Sequence, residues 1–289
     1  MLRIIDTLSA PGDPAKANED AFGHSVTHAW VIDGATDVAD GPLIGSETGA
    51  HWLAHQASAL FTDNAARHGA DLCALVQETI ETLASRFEQE RLRVPNGQHE
   101  WPSAAMMLLY AGREKLSVAN FADCGLVLLE DDATEAQIFG VEHHSREARA
   151  VSRTGELLRA LRPGERPFDN ADVMAYLRAA RSRQNTPHGY WILGIDPDAA
   201  LHMRQWEVPL DRPYTGLLFS DGFGSLVFDY HRLDAATFVR RAALGGLATI
   251  LAEIRHIEEV EDPGGHFWPR FKRHDDATAV LFRVEPRTR

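Results

Sequence analysis

The chain has 289 residues, of which 44% are hydrophobic and 25% charged, close to the average for globular proteins. This length and composition predict one folded domain with a sizeable core and exclude a disordered chain. The formal net charge of −13 disfavours a nucleic-acid partner, because neutralising phosphates requires a basic surface, and it suits a site that collects divalent cations.

Short apolar runs predict strands, and longer stretches with helical periodicity predict helices. In chain order the strands are predicted at 2–5, 29–32, 104–110, 116–121, 126–129, 217–219 and 279–284. Helices are predicted at 46–61, 70–92 and 233–257, with a shorter one after Asn170. Residues 222–224, Gly-Phe-Gly, are interpreted as a turn. Because strict alternation of strands and helices is absent, a Rossmann-like sheet is disfavoured.

Residues 142–195 differ in composition from the rest of the chain. This stretch has nine arginines and six acidic residues, an excess of three positive charges. We interpret it as a variable, flap-like insertion in a single domain that covers 1–289. Guanidinium groups pair with phosphate and carboxylate, so the excess of arginine in this flap predicts that the protein prefers acidic or multiply phosphorylated partners. The alternative is a solvated arginine-bearing helix near 170–183 with no ligand role.

Two apolar runs end on an aspartate followed by glycine. Asp33-Gly34 ends the first run, and Asp221-Gly222 ends the second, far downstream. A carboxylate at the tip of a buried strand is held rigidly, and the following glycine allows a ligand to approach the backbone closely. Each pair alone is also the ordinary composition of a hairpin turn.

Further acidic residues stand beside other predicted strands. Glu19-Asp20 and Asp275-Asp276 begin strand patterns, and Asp123 follows the strand at 116–121. Hard divalent cations such as Mg²⁺ and Mn²⁺ take several oxygen ligands, which carboxylates from different strands supply when they converge at one sheet edge. These residues therefore predict a metal centre at the end of the sheets.

The order of these segments resembles the motif series of the metal-dependent serine/threonine protein phosphatases of type 2C. The segments are NEDAF, WVIDGAT, SAAMMLLYA, NFADCGLVLL, LLFSDGFGSLV and HDDATAVLFRV. The resemblance covers about residues 14–284 and rests on their order and spacing. It implies an α+β fold, a four-layer α-β-β-α sandwich of two mostly antiparallel sheets flanked by helices, with the metal centre at one end between the sheets.

The resemblance also implies roles for single residues. Asp33 would bridge two Mn²⁺ or Mg²⁺ ions, Asp221 would hold one of them, and Asp20 would orient water for catalysis. Asp276, next to Asp275, leaves the ligand at that place open by one residue. The implied ligands, with Asp123 serving a weaker third ion, are Glu19, Asp33, Gly34, Asp221, Asp275 and Asp123.

Two parts of the family pattern have no counterpart in this sequence. Ala35 stands where many relatives have a histidine that can protonate the leaving group. The phosphate-binding arginine is missing as well, and the nearest cation is Lys16. The general acid and the phosphate-binding residue are therefore unassigned. His51 and His55 have a zinc-compatible spacing but no third ligand, and we interpret them as surface or capping residues.

A basic cluster of Arg270, Lys272, Arg273 and His274 precedes Asp275. Two interpretations are open: the cluster attracts a phosphoprotein, or it balances the charge of an acidic site.

The resemblance implies an enzyme, a phosphoserine/phosphothreonine protein phosphatase that uses water activated by two metal ions. A phosphorylated protein from a serine/threonine kinase pathway is the expected substrate. The alternative is a catalytically weak or silent phosphatase-like module that binds a phosphoprotein or regulatory partner through the same surface, which the missing arginine favours.

Cysteine usage and hydropathy predict a cytoplasmic protein. Cys73 and Cys124 have neither a zinc spacing nor a CxxC motif, which suits a reducing compartment. The first residues meet a charge before the apolar core of a signal peptide can form, and the longest apolar run, Ala104–Ala111, is too short to cross a bilayer. We expect no membrane partner.

Overall fold

The computed structural model describes residues 1–45, 47–141, 155–162 and 165–286. Residues 142–154 and 163–164 of the predicted flap lie outside the described residues. Within these ranges the strands are β1 (Leu2–Ala10), β2 (Asp20–His24), β3 (His28–Gly34), β4 (Ala104–Ala111), β5 (Lys115–Phe121), β6 (Gly125–Glu130), β7 (Gln137–Phe139), β8 (Arg204–Pro209), β9 (Tyr214–Phe219) and β10 (Ala277–Val284). The main helices are α1 (Gly49–His68), α2 (Leu72–Glu90), α3 (Ala171–Arg181), α4 (Asp221–Phe228), α5 (Ala235–Gly245) and α6 (Leu247–His256).

The strands form two five-stranded sheets. The first has the order β1-β10-β9-β6-β7 and the second β2-β3-β4-β5-β8. Every pairing within the named strands is antiparallel. The first strand therefore pairs with the last, Leu2 opposite Val284.

Three apolar clusters define four layers. One lies between the sheets and includes Val31 and Phe282. The second packs α1 and α2 against the β2–β8 sheet, and the third packs α4, α5 and α6 against the other sheet. In β3, Trp30 and Ile32 face the helices while Val31 faces the opposite sheet, so this strand is apolar throughout because both of its faces are buried. The predicted α+β four-layer sandwich is confirmed.

Two predicted elements differ from the structure. The helix predicted at 233–257 is two helices, because Gly246 adopts a left-handed φ of +80°. The backbone N–H of Leu247, which begins α6, donates to Asp6 Oδ2 at 3.0 Å. The turn predicted at Gly222-Phe223-Gly224 lies within α4 instead.

Among the described residues no single helix is long and apolar enough to cross a membrane, and the one pair that passes by length and composition, Ala235–Gly245 with Leu247–Glu261, is bent by 118°.

Candidate metal centre

The β2–β3 pair brings the first group of acidic residues together. Asp20 at the start of β2 lies directly opposite Asp33 near the end of β3. The backbone N–H of Gly34 donates to the carbonyl of Glu19 at 3.1 Å. A Cβ atom at Gly34 would lie 2.5 Å from that carbonyl oxygen and 2.8 Å from the carbonyl oxygen of Ala50, so this close approach requires glycine. Glu19, Asp20 and Asp33 thus share one end of their sheet.

The other sheet supplies the second group at the same end. β9 ends and β10 begins side by side, and the backbone N–H of Ser220 donates to the carbonyl of Thr278 at 3.0 Å. Asp221 follows as the first residue of α4. A Cβ atom at Gly222 would lie 2.1 Å from the carbonyl oxygen of Asp276, so glycine allows α4 to begin against the segment that carries Asp275. Glycine has a low helix propensity, so the sequence of α4 does not favour a helix. Here Gly222 is required by close packing instead.

Ser220 joins the two groups across the sheets. Its hydroxyl donates to Asp20 Oδ2 at 2.8 Å and accepts from the backbone N–H of Thr278 at 3.0 Å. Ser220 and Thr278 are fully buried, and Asp20 is 2% exposed. Although Ser220 is the N-cap residue of α4, its side chain makes no capping bond. The side chain therefore connects the two sheets rather than capping the helix.

The structure distinguishes Asp275 from Asp276. Asp276 Oδ1 accepts from the backbone N–H of Gly12 and Oδ2 from that of Glu19, both at 2.7 Å. Both of its carboxylate oxygens are thus used to hold neighbouring chain segments. The Asp275 side chain is 44% exposed and accepts from Lys272. Asp275 is therefore the residue of this pair that is open to an ion.

Mutual repulsion and burial dominate the electrostatics of the site. Burial raises the pKa of Asp33 well above its ordinary value, and the charges of Asp20, Asp221, Asp123 and Asp275 raise it further. Asp221 borders solvent, yet the protein packed around its carboxyl and the charges of Asp275 and Asp123 also raise its pKa. Burial raises the pKa of Asp20 to about 7, although the hydrogen bond from the Ser220 hydroxyl opposes the shift. A bound cation would relieve this repulsion.

One buried atom lacks a partner. Asp20 Oδ1 makes no hydrogen bond, alone among the buried side-chain nitrogen and oxygen atoms of the described residues. An all-oxygen donor set with an unsatisfied buried oxygen fits Mg²⁺ or Mn²⁺. Across the described ranges, no group of three or more His, Cys, Asp or Glu side chains is positioned, as it stands, to hold a metal ion. Binding an ion therefore requires the converging side chains to turn towards it.

No protein-family model matches this sequence, and no curated protein matches it either. Solved structures do match. The serine/threonine phosphatase PstP/Ppp of Mycobacterium tuberculosis is 15% identical with a TM-score of 0.55, over 98% of this chain and 99% of that one. The PstP catalytic domain in complex with two manganese ions is 16% identical with a TM-score of 0.55, over 98% of both chains. MsPP, a PPM Ser-Thr phosphatase of Mycobacterium smegmatis in complex with cacodylate, is 18% identical with a TM-score of 0.51, over 98% of this chain and 97% of that one.

This chain has the PPM phosphatase fold. The likeness spans nearly the whole length of both chains, so the described sheets and helices form a complete PPM sandwich. The fold places all the predicted site residues at one end of it: Glu19, Asp20, Asp33, Gly34, Asp123, Asp221 and Asp275.

Within this PPM fold the basic cluster has separate partners. Lys272 Nζ lies 2.8 Å from Asp275 Oδ1 and 3.8 Å from Glu19 Oε2. Arg270 pairs with Asp262 at 3.3 Å, and His274 Nδ1 lies 2.8 Å from Glu258 Oε2. Lys272 thus faces the acidic residues while Arg270 and His274 are used elsewhere. These contacts favour charge balance over attraction of a phosphoprotein.

The described part of the predicted flap is held onto the loop after Gly34. Arg178 Nε donates to the carbonyl of Val38 at 2.9 Å, and Arg178 also pairs with Asp40. Arg181 is 9% exposed and donates to the carbonyl of Thr36. Both arginines of α3 therefore serve as structural ties, while Arg183 lies two residues beyond the end of α3 and is exposed.

The His51–His55 pair makes contacts of a structural kind. His51 Nδ1 lies 2.8 Å and His55 Nε2 3.2 Å from the carbonyl oxygen of Asn18. Both rings thus fix the residue before Glu19. These contacts favour a structural role for both histidines over a zinc site.

Proposed function

We propose that this protein is a metal-dependent phosphomonoester hydrolase that dephosphorylates phosphoserine or phosphothreonine in proteins. The observation that carries the proposal is the convergence of acidic side chains from both sheets around the unpartnered Asp20 Oδ1. The PPM fold and the manganese-bound PstP structure support the same assignment. A serine/threonine kinase pathway in the cytoplasm would supply the substrate.

The residues divide between two ions. Glu19, Asp33 and the Gly34 carbonyl would hold one, and Asp33, Asp221 and Asp275 the other. Asp123, whose charge acts on both Asp33 and Asp221, would serve a third. Bound Mn²⁺ or Mg²⁺ ions would supply Lewis acidity, which acidifies water and offsets the charge of phosphoryl oxygens.

The chain's own groups complete the site. Asp20 is fixed by Ser220 through Oδ2, which leaves Oδ1 free to accept a hydrogen bond and orient a water molecule. A cysteine nucleophile is disfavoured, because burial and the nearby carboxylates raise the pKa of Cys124 well above its ordinary value and keep it a thiol. Direct attack by water is the chemistry that these groups suit.

Hydrolysis of para-nitrophenyl phosphate and of a phosphothreonine peptide tests the proposal. We expect turnover with Mn²⁺ or Mg²⁺, its loss in EDTA, and its return when metal is added in excess. Full turnover in a sample verified to be metal-free would refute the proposal. No turnover, combined with manganese-dependent binding of the phosphopeptide, would instead support the silent phosphatase-like module.

A further inference from the structure

Lys272 places an ammonium group among the proposed metal ligands. Its Nζ lies 2.8 Å from Asp275 Oδ1 and 3.8 Å from Glu19 Oε2, and its side chain is 29% exposed. Asp275 precedes β10 of one sheet, and Glu19 precedes β2 of the other. Under the proposed function these carboxylates belong to different ions. One ammonium group therefore connects the two halves of the site.

The segment that carries Lys272 is fixed on both sides. Before it, the Phe271 ring packs against Phe168, with centroids 6.2 Å apart. After it, Arg255 donates to the carbonyl of Asp275 at 2.7 Å. Arg255 in turn pairs with Glu258, which is 3% exposed, at 2.8 Å. These contacts hold the chain on both sides of Lys272.

The choice of residue type is also informative. Of 29 lysines and arginines, three are lysines: Lys16, Lys115 and Lys272. An ammonium group is a compact point charge, whereas a guanidinium group is a planar fork. A compact charge between two carboxylates occupies space that a metal ion would otherwise take.

We propose that Lys272 is an internal counter-cation that neutralises the metal centre in the metal-free protein and is displaced from Asp275 when a divalent ion binds. This inference rests on the proposed function. Without a cation, the carboxylates of the site repel each other, and Lys272 offsets part of that repulsion. A divalent ion needs the same Asp275 oxygen and is repelled by the ammonium charge. Lys272 thus stabilises the metal-free fold and weakens metal affinity.

Lys272→Met is expected to change two measurements in opposite senses. Methionine keeps an unbranched apolar stem but removes the charge. The metal-free variant should unfold at a lower temperature than wild type, because the carboxylates lose their counter-cation. Mn²⁺ should bind about tenfold more tightly or better, a change of about 1.4 kcal/mol. Loss of packing alone would lower the unfolding temperature without tightening Mn²⁺ binding.

The experiment is calorimetric titration of EDTA-treated, desalted protein with Mn²⁺, with thermal unfolding of the same metal-free samples. Lys115→Met is the matched control, since it removes one lysine charge from an exposed pair with Glu207. Its affinity for Mn²⁺ should equal that of wild type. Lys272→Arg keeps the positive charge, so its affinity for Mn²⁺ should stay closer to that of wild type than to that of Lys272→Met. Lys272→Gln keeps a hydrogen-bond donor without charge and replaces Lys272→Met if that variant does not fold.

Mn²⁺ affinity that is unchanged or weaker in the uncharged variants would overturn the inference that Lys272 is a counter-cation. If wild type still binds Mn²⁺ in that case, the proposed metal centre stands. An unchanged unfolding temperature of the metal-free variants would overturn it as well. Absence of Mn²⁺ binding in wild type and variants alike would defeat both this inference and the proposed function.

Discussion

Ser220→Ala removes the hydroxyl that connects the two sheets at the site. Two buried partners are affected: the backbone N–H of Thr278 loses its acceptor and Asp20 Oδ2 loses a donor. An unsatisfied buried group costs about 1–3 kcal/mol, and a hydrogen bond to a charged group contributes about 1.5–3 kcal/mol. Because alanine leaves almost no cavity here, these two effects account for the loss. We expect a decrease in unfolding free energy of about 3 kcal/mol at pH 8, where Asp20 is ionised.

The size of this loss should depend on pH. At pH 5.5, Asp20 is largely protonated in the metal-free protein, because its pKa is about 7. A neutral carboxyl loses less when its donor is removed, so the decrease should be smaller than at pH 8. Urea unfolding of EDTA-treated protein at the two pH values measures both quantities.

Ser225→Ala provides the matched control. Ser225 is also a buried serine, 6% exposed, but its hydroxyl donates to the carbonyl of Gly222 within the same helix. We expect this control to lose about 1 kcal/mol or less at either pH. A Ser220→Ala loss no larger than that of the control, or one independent of pH, would refute the role of Ser220 as the connection between the sheets.

Three further predictions follow from the site. Asp33→Asn should lower turnover at saturating Mn²⁺ by about three orders of magnitude, or about 4 kcal/mol, and it should raise the unfolding free energy of the metal-free protein because a repelling charge is removed. The exposed control is Asp211→Asn. Turnover of Asp33→Asn within about threefold of this control would make the ligand assignment wrong. The unfolding free energy of the metal-free protein should fall as pH rises from about 4 to about 7. The reason is that Asp20 has a pKa of about 7 in the folded protein and the lower, ordinary aspartate pKa in the unfolded chain. An unfolding free energy from urea melts that stays flat or rises over this range would contradict the prediction. Arg181→Gln should lower the unfolding free energy by about 1–3 kcal/mol because the Thr36 carbonyl loses a charged donor; stability equal to that of the exposed-site variant Arg183→Gln would contradict the structural tie.

Much of the fold and site is predictable because it depends on local patterns. β3 is buried on both faces, so its apolar run predicts a strand, and Asn170 caps α3 where a helix is predicted. The contacts that complete the site are long-range and leave no local pattern. Ser220 and Asp20 are 200 residues apart, and Lys272 meets Glu19 across the sheets. The choice between Asp275 and Asp276 depends on the amide of Gly12, so local sequence leaves it open.

The pairing of the first strand with the last has a consequence for synthesis of the chain. β1 lies at the edge of its sheet beside β10, so β1 finds its partner only after residues 277–284 have been synthesised. Glu19 and Asp33 likewise wait for Asp275, which lies more than two hundred residues downstream. A nascent chain therefore cannot assemble the complete acidic site until Asp275 has been synthesised. A product truncated before residue 275 therefore lacks one of the proposed metal ligands.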